Sequence, residues 1–215
     1  MPGRSTRGAA VPERELYVSV DVEADGPIPG PYSMLSFGMA ACGTFDGRVF
    51  APDDPAESTF YAELKPISDA YVPESLAVSG LDRDRLAAEG RDPAEAMNAA
   101  AAWVAGVTAA AGASPVLVAY PLGFDWMFLY WYWTRFADAG SPFGHSRHLD
   151  LKSLYAAKAG AMVTRSTKRQ MPAELLSDRP HTHNALDDAI EQAELFHNLF
   201  RWTGPSSRAD ASSAE

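Results

Sequence analysis

Apolar and polar residues alternate from Glu15 to Glu23, a pattern that is typical of a β-strand with two different faces. Because successive side chains on a strand point to opposite faces, Asp21 and Glu23 lie beside each other on the same face. Two ionised carboxylates in contact repel each other, and a divalent cation bound by both would relieve that repulsion. The sequence leaves a second interpretation open, in which the two acids lie on the solvent face of an edge strand.

Short apolar segments and segments of helical period follow along the rest of the chain. Strands are predicted at residues 32–43, 58–64, 114–120 and, as a short strand or strand end, 147–150. Helices are predicted at residues 73–78, 82–88, 93–112, 124–137, 151–159 and 185–202, with loop at 160–180. The first three strands predict an antiparallel meander, and alternating helices and strands follow it. The predicted fold class is therefore α/β, a mixed sheet with helices packed on it.

The length of 215 residues and a composition that is 47% hydrophobic and 21% charged fit one globular domain. We assign this single domain to residues 14–202. A leader at residues 1–13 and a tail at residues 203–215 are expected to be disordered. The net charge of −10 offers no broad basic surface to duplex DNA, so any contact with nucleic acid must be local.

Cys42 is the only cysteine, so no internal disulfide can form, and its apolar neighbours predict a buried thiol. A protein without disulfides is typical of a reducing compartment, and we expect a cytoplasmic protein. The most apolar run, residues 126–133, is too short to cross a bilayer, so no membrane partner is expected. Its aromatic residues cover every face of a helix, and one use for the surplus is a homodimer contact.

Two further acids lie at predicted helix starts. Asp125 follows the predicted strand at 114–120, and Asp188 lies in the first turn of the last helix. Each could instead serve as a helix cap or complement the helix dipole. On one continuous helix His183 would point about 140° away from Asp188, so His183 must precede the helix to face the same site. Asn184 is suited to be the N-cap that starts the helix after His183.

His181 and His183 form a His-x-His pair of the kind found in zinc sites. No third histidine or cysteine lies nearby in the sequence, so a zinc site is not predicted. The sequence also contains no serine or cysteine arrangement typical of a nucleophile, and no glycine-rich phosphate loop.

Three segments resemble, in the family's order, the motifs of the DEDDh 3′–5′ exonucleases, which include proofreading subunits, ribonuclease T and oligoribonuclease. They are Asp-Val-Glu at 21–23, Gly-Phe-Asp at 123–125 and His-Asn-Ala-Leu-Asp-Asp at 183–188. The resemblance extends over residues 15–202 and implies a ribonuclease H-like fold. It implies that two divalent cations, Mg²⁺ or Mn²⁺, are bound by Asp21, Glu23, Asp125 and Asp188. It also implies that His183 is the general base and that Asp187 is only a neighbour of the site.

The chain departs from the family where Tyr120 and Pro121 replace a frequent His-Asn pair, and where Ala24 and Asp25 follow Glu23 instead of Thr. Asp25 could be a further ligand, but we expect it to stabilise the turn. Ala24 and Tyr120 are candidate substrate contacts at these positions. Met34 and Leu35 lie where the family often has an apolar wedge against the terminal bases, or else belong to the strand core.

The segment from Leu151 to Ala173 contains no acid and five bases: Lys152, Lys158, Arg165, Lys168 and Arg169. These bases, with Lys168 and Arg169 as the candidate substrate contacts, could guide a phosphate backbone, or could belong to a solvated loop.

The resulting hypothesis is a two-metal-ion 3′–5′ exonuclease that shortens single-stranded nucleic acid from its 3′ end and releases nucleoside 5′-monophosphates. We expect RNA or short oligonucleotides as substrates, because a domain without a basic surface suits small ligands. A DNA 3′–5′ exonuclease and a non-catalytic ribonuclease H-like binding module are the alternatives.

Overall fold

The chain, described for residues 14–205 in a computed structural model, forms one mixed six-stranded sheet. Its strands are β1 (Glu15–Ala24), β2 (Met34–Phe45), β3 (Phe50–Pro52), β4 (Thr59–Glu63), β5 (Ser114–Ala119) and β6 (His148–Asp150). They lie in the order β3-β2-β1-β5-β6, and β4 also pairs with β2. Strands β1 to β4 pair antiparallel, whereas β5 pairs with β1 and β6 with β5 in parallel, which confirms the predicted α/β class.

Six helices connect and cover the strands: α1 (Pro73–Ser79), α2 (Arg83–Glu89), α3 (Pro93–Ala111), α4 (Leu122–Phe136), α5 (Leu151–Ala159) and α6 (Ala185–Arg201). Residues 160–180 contain three short 3₁₀ turns and no longer element, close to the predicted loop. Helix α3 begins as predicted, because the Asp92 carboxylate accepts hydrogen bonds from the N–H groups of Ala94 and Glu95.

Strand β1 lies in the centre of the sheet and is covered on both faces. Leu16, Val18 and Val20 pack towards α3 and α4, and Tyr17 packs towards α6 on the other face. Even Ser19 is fully buried. The edge-strand interpretation of β1 is therefore wrong, since both of its neighbours, β2 and β5, are hydrogen-bonded to it.

The start of α6 lies directly against β2. A Cβ atom added to Gly38 would come within 2.3 Å of the carbonyl oxygen of Ala185, the first residue of α6. Gly38 is the pairing partner of Asp21 in the neighbouring strand. The absence of a side chain at Gly38 thus lets the first turn of α6, with Asp188, approach the carboxylates of β1.

The aromatic residues of α4 are mostly used inside the domain, where Phe128, Tyr132 and Trp133 are fully buried. Phe124 and Tyr130 are 38% and 37% exposed, and the homodimer stays a prediction. Cys42 is buried, as predicted. Within residues 14–205, none of the helices combines the length and hydropathy that crossing a membrane requires. The predicted leader and residues 206–215 of the predicted tail lie outside the described residues.

Candidate active site

The carboxylates of Asp21 and Glu23 lie near the end of β1, on the face towards α6. Each places an oxygen within 4.8 Å of the other and of a carboxylate oxygen of Asp188. Residues far apart in the sequence are thus brought together into one acidic group, as the motif spacing predicts.

Asp125 joins this group from the first turn of α4. Its Oδ1 accepts a hydrogen bond of 3.0 Å from the backbone N–H of Val22, which lies between the two acids of β1. The start of α4 is held in turn by Asp150, whose Oδ2 accepts the N–H of Leu122 at 2.9 Å. Asp125 is therefore fixed beside β1 rather than free at a helix end.

Asp188 is fully buried in the first turn of α6, which Asn184 caps by accepting the N–H groups of Leu186 and Asp187. One oxygen of Asp188, Oδ1, accepts the N–H of Thr182 at 3.0 Å and lies 3.0 Å from Nδ1 of His181. The other oxygen, Oδ2, is buried without a hydrogen-bond partner among the described residues. A buried carboxylate oxygen without a partner is destabilising unless a cation binds it.

His183 lies just before α6, where the predicted Asn184 cap puts it. Its φ of 55° lies in the left-handed region, which residues other than glycine seldom adopt. The exposed imidazole is 4.4 Å from that of His181, measured between ring centroids. A nitrogen of each ring lies within 4.8 Å of an Asp188 oxygen. His183 therefore borders the acidic group from the solvent side.

The positive charge of nearby Lys168 does not offset the burial and mutual repulsion of the acids. Burial, and then repulsion by Asp125, Glu23 and Asp188, raise the pKa of Asp21 well above its ordinary value. Burial and then repulsion by Asp188 raise the pKa of Glu23 to about 7. Burial, as the first cause, raises the pKa of Asp125 to about 8. Oxygen donors with unbalanced charge are the ligands that Mg²⁺ and Mn²⁺ prefer, so this donor set fits divalent cations.

Two residues of the site were not predicted from the sequence. Buried Gln192 donates from Nε2 to Oδ1 of Asp21 at 2.7 Å, and its Oε1 accepts the N–H of Tyr120 at 2.7 Å. Glu191 forms an ion pair with Lys168. Their positions three and four residues after Asp188, on one face of a helix, are the only signal in the sequence.

A groove of about 710 Å³ lies beside Asp188, since His181, which is 3.0 Å from Asp188, lines it. Its other lining residues are Tyr120, Pro121, Lys152, Thr167, Lys168 and Arg169. Three of the candidate substrate contacts thus border it: Tyr120, Lys168 and Arg169. The Lys168 ammonium lies 5.5 Å from the centroid of the Tyr120 ring. The ion pair with Glu191 and this ring hold a positive charge at the groove, beside the acids.

The other candidate contacts are buried: Ala24 is 6% exposed, and Met34 and Leu35 are 0% exposed. The proposed apolar wedge is therefore corrected to strand core, because β2 is covered on both of its faces. Asp25 is not part of the acidic group. Its Oδ1 accepts the N–H of Ser33 at 2.6 Å, and its Oδ2 lies 3.0 Å from Nε of Arg83, so it stabilises the loop after β1.

Comparison with known proteins gives a curated relative in Escherichia coli, named 3′-5′ DNA exonuclease Cap18. It is 38% identical over 188 residues, which cover 86% of this chain and 91% of the relative. No protein-family model matches the chain.

Many solved structures share the fold. The nuclease domain of 3′hExo, a DEDDh family member, aligns with a TM-score of 0.60 and 12% identity over 90% of this chain and 94% of that one. Pop2p of S. pombe aligns with a TM-score of 0.56 and 19% identity over 85% and 82% of the two chains. The fold is thus the ribonuclease H-like α/β fold. Together with the curated relative, these findings show that the chain belongs to the DEDDh family of 3′–5′ exonucleases, enzymes that depend on divalent metal ions.

Proposed function

We propose that this exonuclease uses two metal ions to shorten single-stranded DNA from its 3′ end and releases nucleoside 5′-monophosphates. The observation that supports this most directly is that oxygens of Asp21, Glu23 and Asp188 lie within 4.8 Å of one another. Asp125 is bonded to the strand between the first two acids, and His183 lies within 4.8 Å of Asp188. Among the described residues, both groups of potential metal ligands contain Asp188.

The proposed metal ligands are Asp21, Glu23, Asp125 and Asp188. When bound, two Mg²⁺ or Mn²⁺ ions would activate a water molecule and stabilise the negative charge of the leaving oxygen. Carboxylate oxygens are hard donors, which supports these ions rather than softer ones. The similar fold of Pop2p was solved in an Mg²⁺- and Mn²⁺-bound form, which supports the same choice.

We assign to His183 the role of general base. Its imidazole, exposed at the mouth of the acidic group, can accept the proton of the attacking water. The water oxygen then bonds to phosphorus while the bond between phosphorus and the 3′ oxygen of the preceding nucleotide breaks. The electrons of that bond stay on the 3′ oxygen, which takes a proton from solvent, so the shortened strand ends in a 3′ hydroxyl and the released nucleotide keeps its 5′ phosphate.

The groove beside the acids supports a single strand as the substrate. It has basic side chains, Lys152, Lys168 and Arg169, where a phosphate backbone would enter, whereas the chain as a whole is acidic. Tyr120 offers an aromatic ring there, and rings of this kind stack on unpaired bases.

DNA is proposed as the substrate because the relative with 38% identity is named a DNA exonuclease. The preference for RNA or short oligonucleotides that the charge of the sequence favours stays a prediction, as does the cytoplasmic location. The same assay compares the two substrates.

The experiment uses single-stranded DNA and RNA of equal sequence, labelled at the 5′ end, with Mg²⁺, Mn²⁺ or EDTA. We expect a ladder of labelled DNA products that shorten from the 3′ end, less product from RNA, and no product in EDTA. A strand blocked at its 3′ end is the control for direction. Immediate release of a labelled mononucleotide, or a ladder in EDTA, would contradict the proposal.

A further inference from the structure

Asp188 belongs to two groups of potential metal ligands at once. One consists of Asp21, Glu23 and Asp188, and the other of His181, His183 and Asp188. Within each group, one donor atom from every residue lies within 4.8 Å of the others. The first group contains only oxygen donors, and the second contains two imidazoles and one carboxylate.

In the second group Asp188 is the third ligand, which the sequence pattern around the two histidines does not reveal. His181 and His183 have no further histidine or cysteine near them in the sequence, but the turn before α6 folds both rings towards the Asp188 carboxylate. Nδ1 of His181 is already 3.0 Å from Oδ1 of Asp188. The second oxygen, Oδ2, belongs to a residue that is 0% exposed, and it has no hydrogen-bond partner among residues 14–205.

We propose that His181, His183 and Asp188 form a binding site for Zn²⁺, and that zinc bound there inhibits the exonuclease. Imidazole is a preferred ligand of zinc, whereas Mg²⁺ is bound through carboxylates, phosphates and water. Two histidines and one carboxylate form a known set of zinc ligands that leaves the fourth position open for water.

The geometry requires only small movements. Zinc-bound nitrogen and oxygen atoms lie about 2.0–2.2 Å from the ion, so two tetrahedral ligands are about 3.4 Å apart. The donor atoms here lie within 4.8 Å of one another, and each would move by about 1 Å or less. Both histidines are exposed on the turn before α6, so their side chains can make this adjustment without disturbing the core.

Inhibition follows if His183 is the general base, and this half of the inference rests on the proposed function. An imidazole nitrogen that binds zinc has no free lone pair and cannot accept a proton from water. Zinc also takes one of the carboxylates that the catalytic ions need, because Asp188 belongs to both groups. Zinc binding itself does not depend on the proposed function and can be measured without any substrate.

The binding test is a calorimetric titration of the metal-free protein with Zn²⁺ alone, repeated with His181→Ala. We expect the variant to bind zinc at the histidine site at least about tenfold more weakly, since it lacks one of three ligands. His145→Ala is the matched control, because His145 is an exposed histidine in the loop between α4 and β6. The zinc titration of this variant should equal that of the wild type. An unchanged zinc titration of His181→Ala would overturn the proposal.

Imidazole resonances in an NMR titration identify the ligands directly. One equivalent of Zn²⁺ should shift the signals of His181 and His183 and leave that of His145 in place, whereas Mg²⁺ should not produce this pattern. If the signals of both His181 and His183 stay in place when zinc is added, the proposed site is wrong, even if zinc binds elsewhere.

The inhibition test compares nuclease activity with and without Zn²⁺ at constant Mg²⁺, each variant being normalised to its own zinc-free activity. Half-inhibition of His181→Ala should need at least about tenfold more zinc than half-inhibition of the wild type. Equal sensitivity would overturn the inhibitory role. A protein without any nuclease activity would contradict the proposed function instead, and the zinc titration would still test the site.

Discussion

Nε2 of Gln192 donates a hydrogen bond of 2.7 Å to Oδ1 of Asp21, across 171 positions of the sequence. The same amide accepts the backbone N–H of Tyr120 through Oε1, so one buried side chain of α6 connects β1 with the residue that follows β5. Asp188 lies one turn earlier on the same helix. Gln192 is therefore a positioning residue that fixes the orientation of one proposed metal ligand.

Gln192→Leu should weaken Mn²⁺ binding by about 10- to 100-fold, the usual effect of losing a hydrogen bond to a metal ligand. It should also lower the free energy of unfolding by about 1–3 kcal/mol, because the N–H of Tyr120 loses its partner. Calorimetry and urea unfolding measure the two effects. Gln170→Leu is the control, because the exposed Gln170 side chain bonds to Thr167 rather than to the acidic group. Unchanged Mn²⁺ affinity of Gln192→Leu would remove the positioning role.

Asp25→Ala should destabilise the domain and leave the stoichiometry of metal binding unchanged. It leaves Arg83, whose side chain is 15% exposed, without its fully buried partner, and breaking such a pair costs about 3 kcal/mol. Urea unfolding and a Mn²⁺ titration test this. A variant of normal stability that binds one ion fewer would show that Asp25 is a ligand and not a loop residue.

Lys168→Gln should raise the KM for single-stranded DNA by about fivefold to tenfold, because one charge-assisted phosphate contact contributes on the order of 1 kcal/mol or more. The salt dependence of KM should become weaker, since one fewer phosphate is neutralised. Arg48→Gln, an exposed base away from the groove, is the control. If KM and its salt dependence stay the same in Lys168→Gln, the groove does not bind the substrate.

The metal-free protein should lose stability as the pH rises from about 5 to 8. The folded state raises the pKa of Glu23 to about 7, above its ordinary value of 4.5, so folding favours the protonated form. The stability that protonated Glu23 contributes to the folded state is fully present below about pH 4.5 and is lost as the pH rises through about 7. Mg²⁺ should reverse the loss, because the ionised carboxylates then bind the ions.

Urea unfolding in EDTA across this pH range measures the effect, with Glu23→Gln as the comparison. The variant carries no ionisable group at this position, so its stability should fall less between pH 5 and 8. Parallel profiles of the two proteins would show that Glu23 does not ionise in the way described.

Local patterns in the sequence predicted much of the site. Alternation along β1 places Asp21 and Glu23 on one face, and the Asn184 cap places His183 before α6. These relationships depend on residues close in the chain, where the geometry of one strand or one helix start decides the result. The short strand β3 was not predicted, because Pro52 and the surrounding turn residues are not typical of a strand. Its three residues nevertheless pair with β2.

Contacts between distant segments could not be predicted in the same way. The hydrogen bond from Gln192 to Asp21 depends on where α6 lies on the sheet, which no local pattern specifies. Burial of Met34 and Leu35 likewise depends on layers that cover both faces of β2. Tertiary packing therefore decides which candidate contacts reach the groove.

The most direct test of the central claim compares Asp21→Asn with Asp187→Asn on 5′-labelled single-stranded DNA in Mn²⁺. Asp187 is an exposed acid next to Asp188, so its variant removes the same charge without touching the acidic group. We expect Asp21→Asn to shorten the labelled strand at least about 100-fold more slowly than the wild type, because it loses a group that acts on the transition state. Asp187→Asn should retain the wild-type rate. Undiminished, metal-dependent activity of Asp21→Asn would contradict the account.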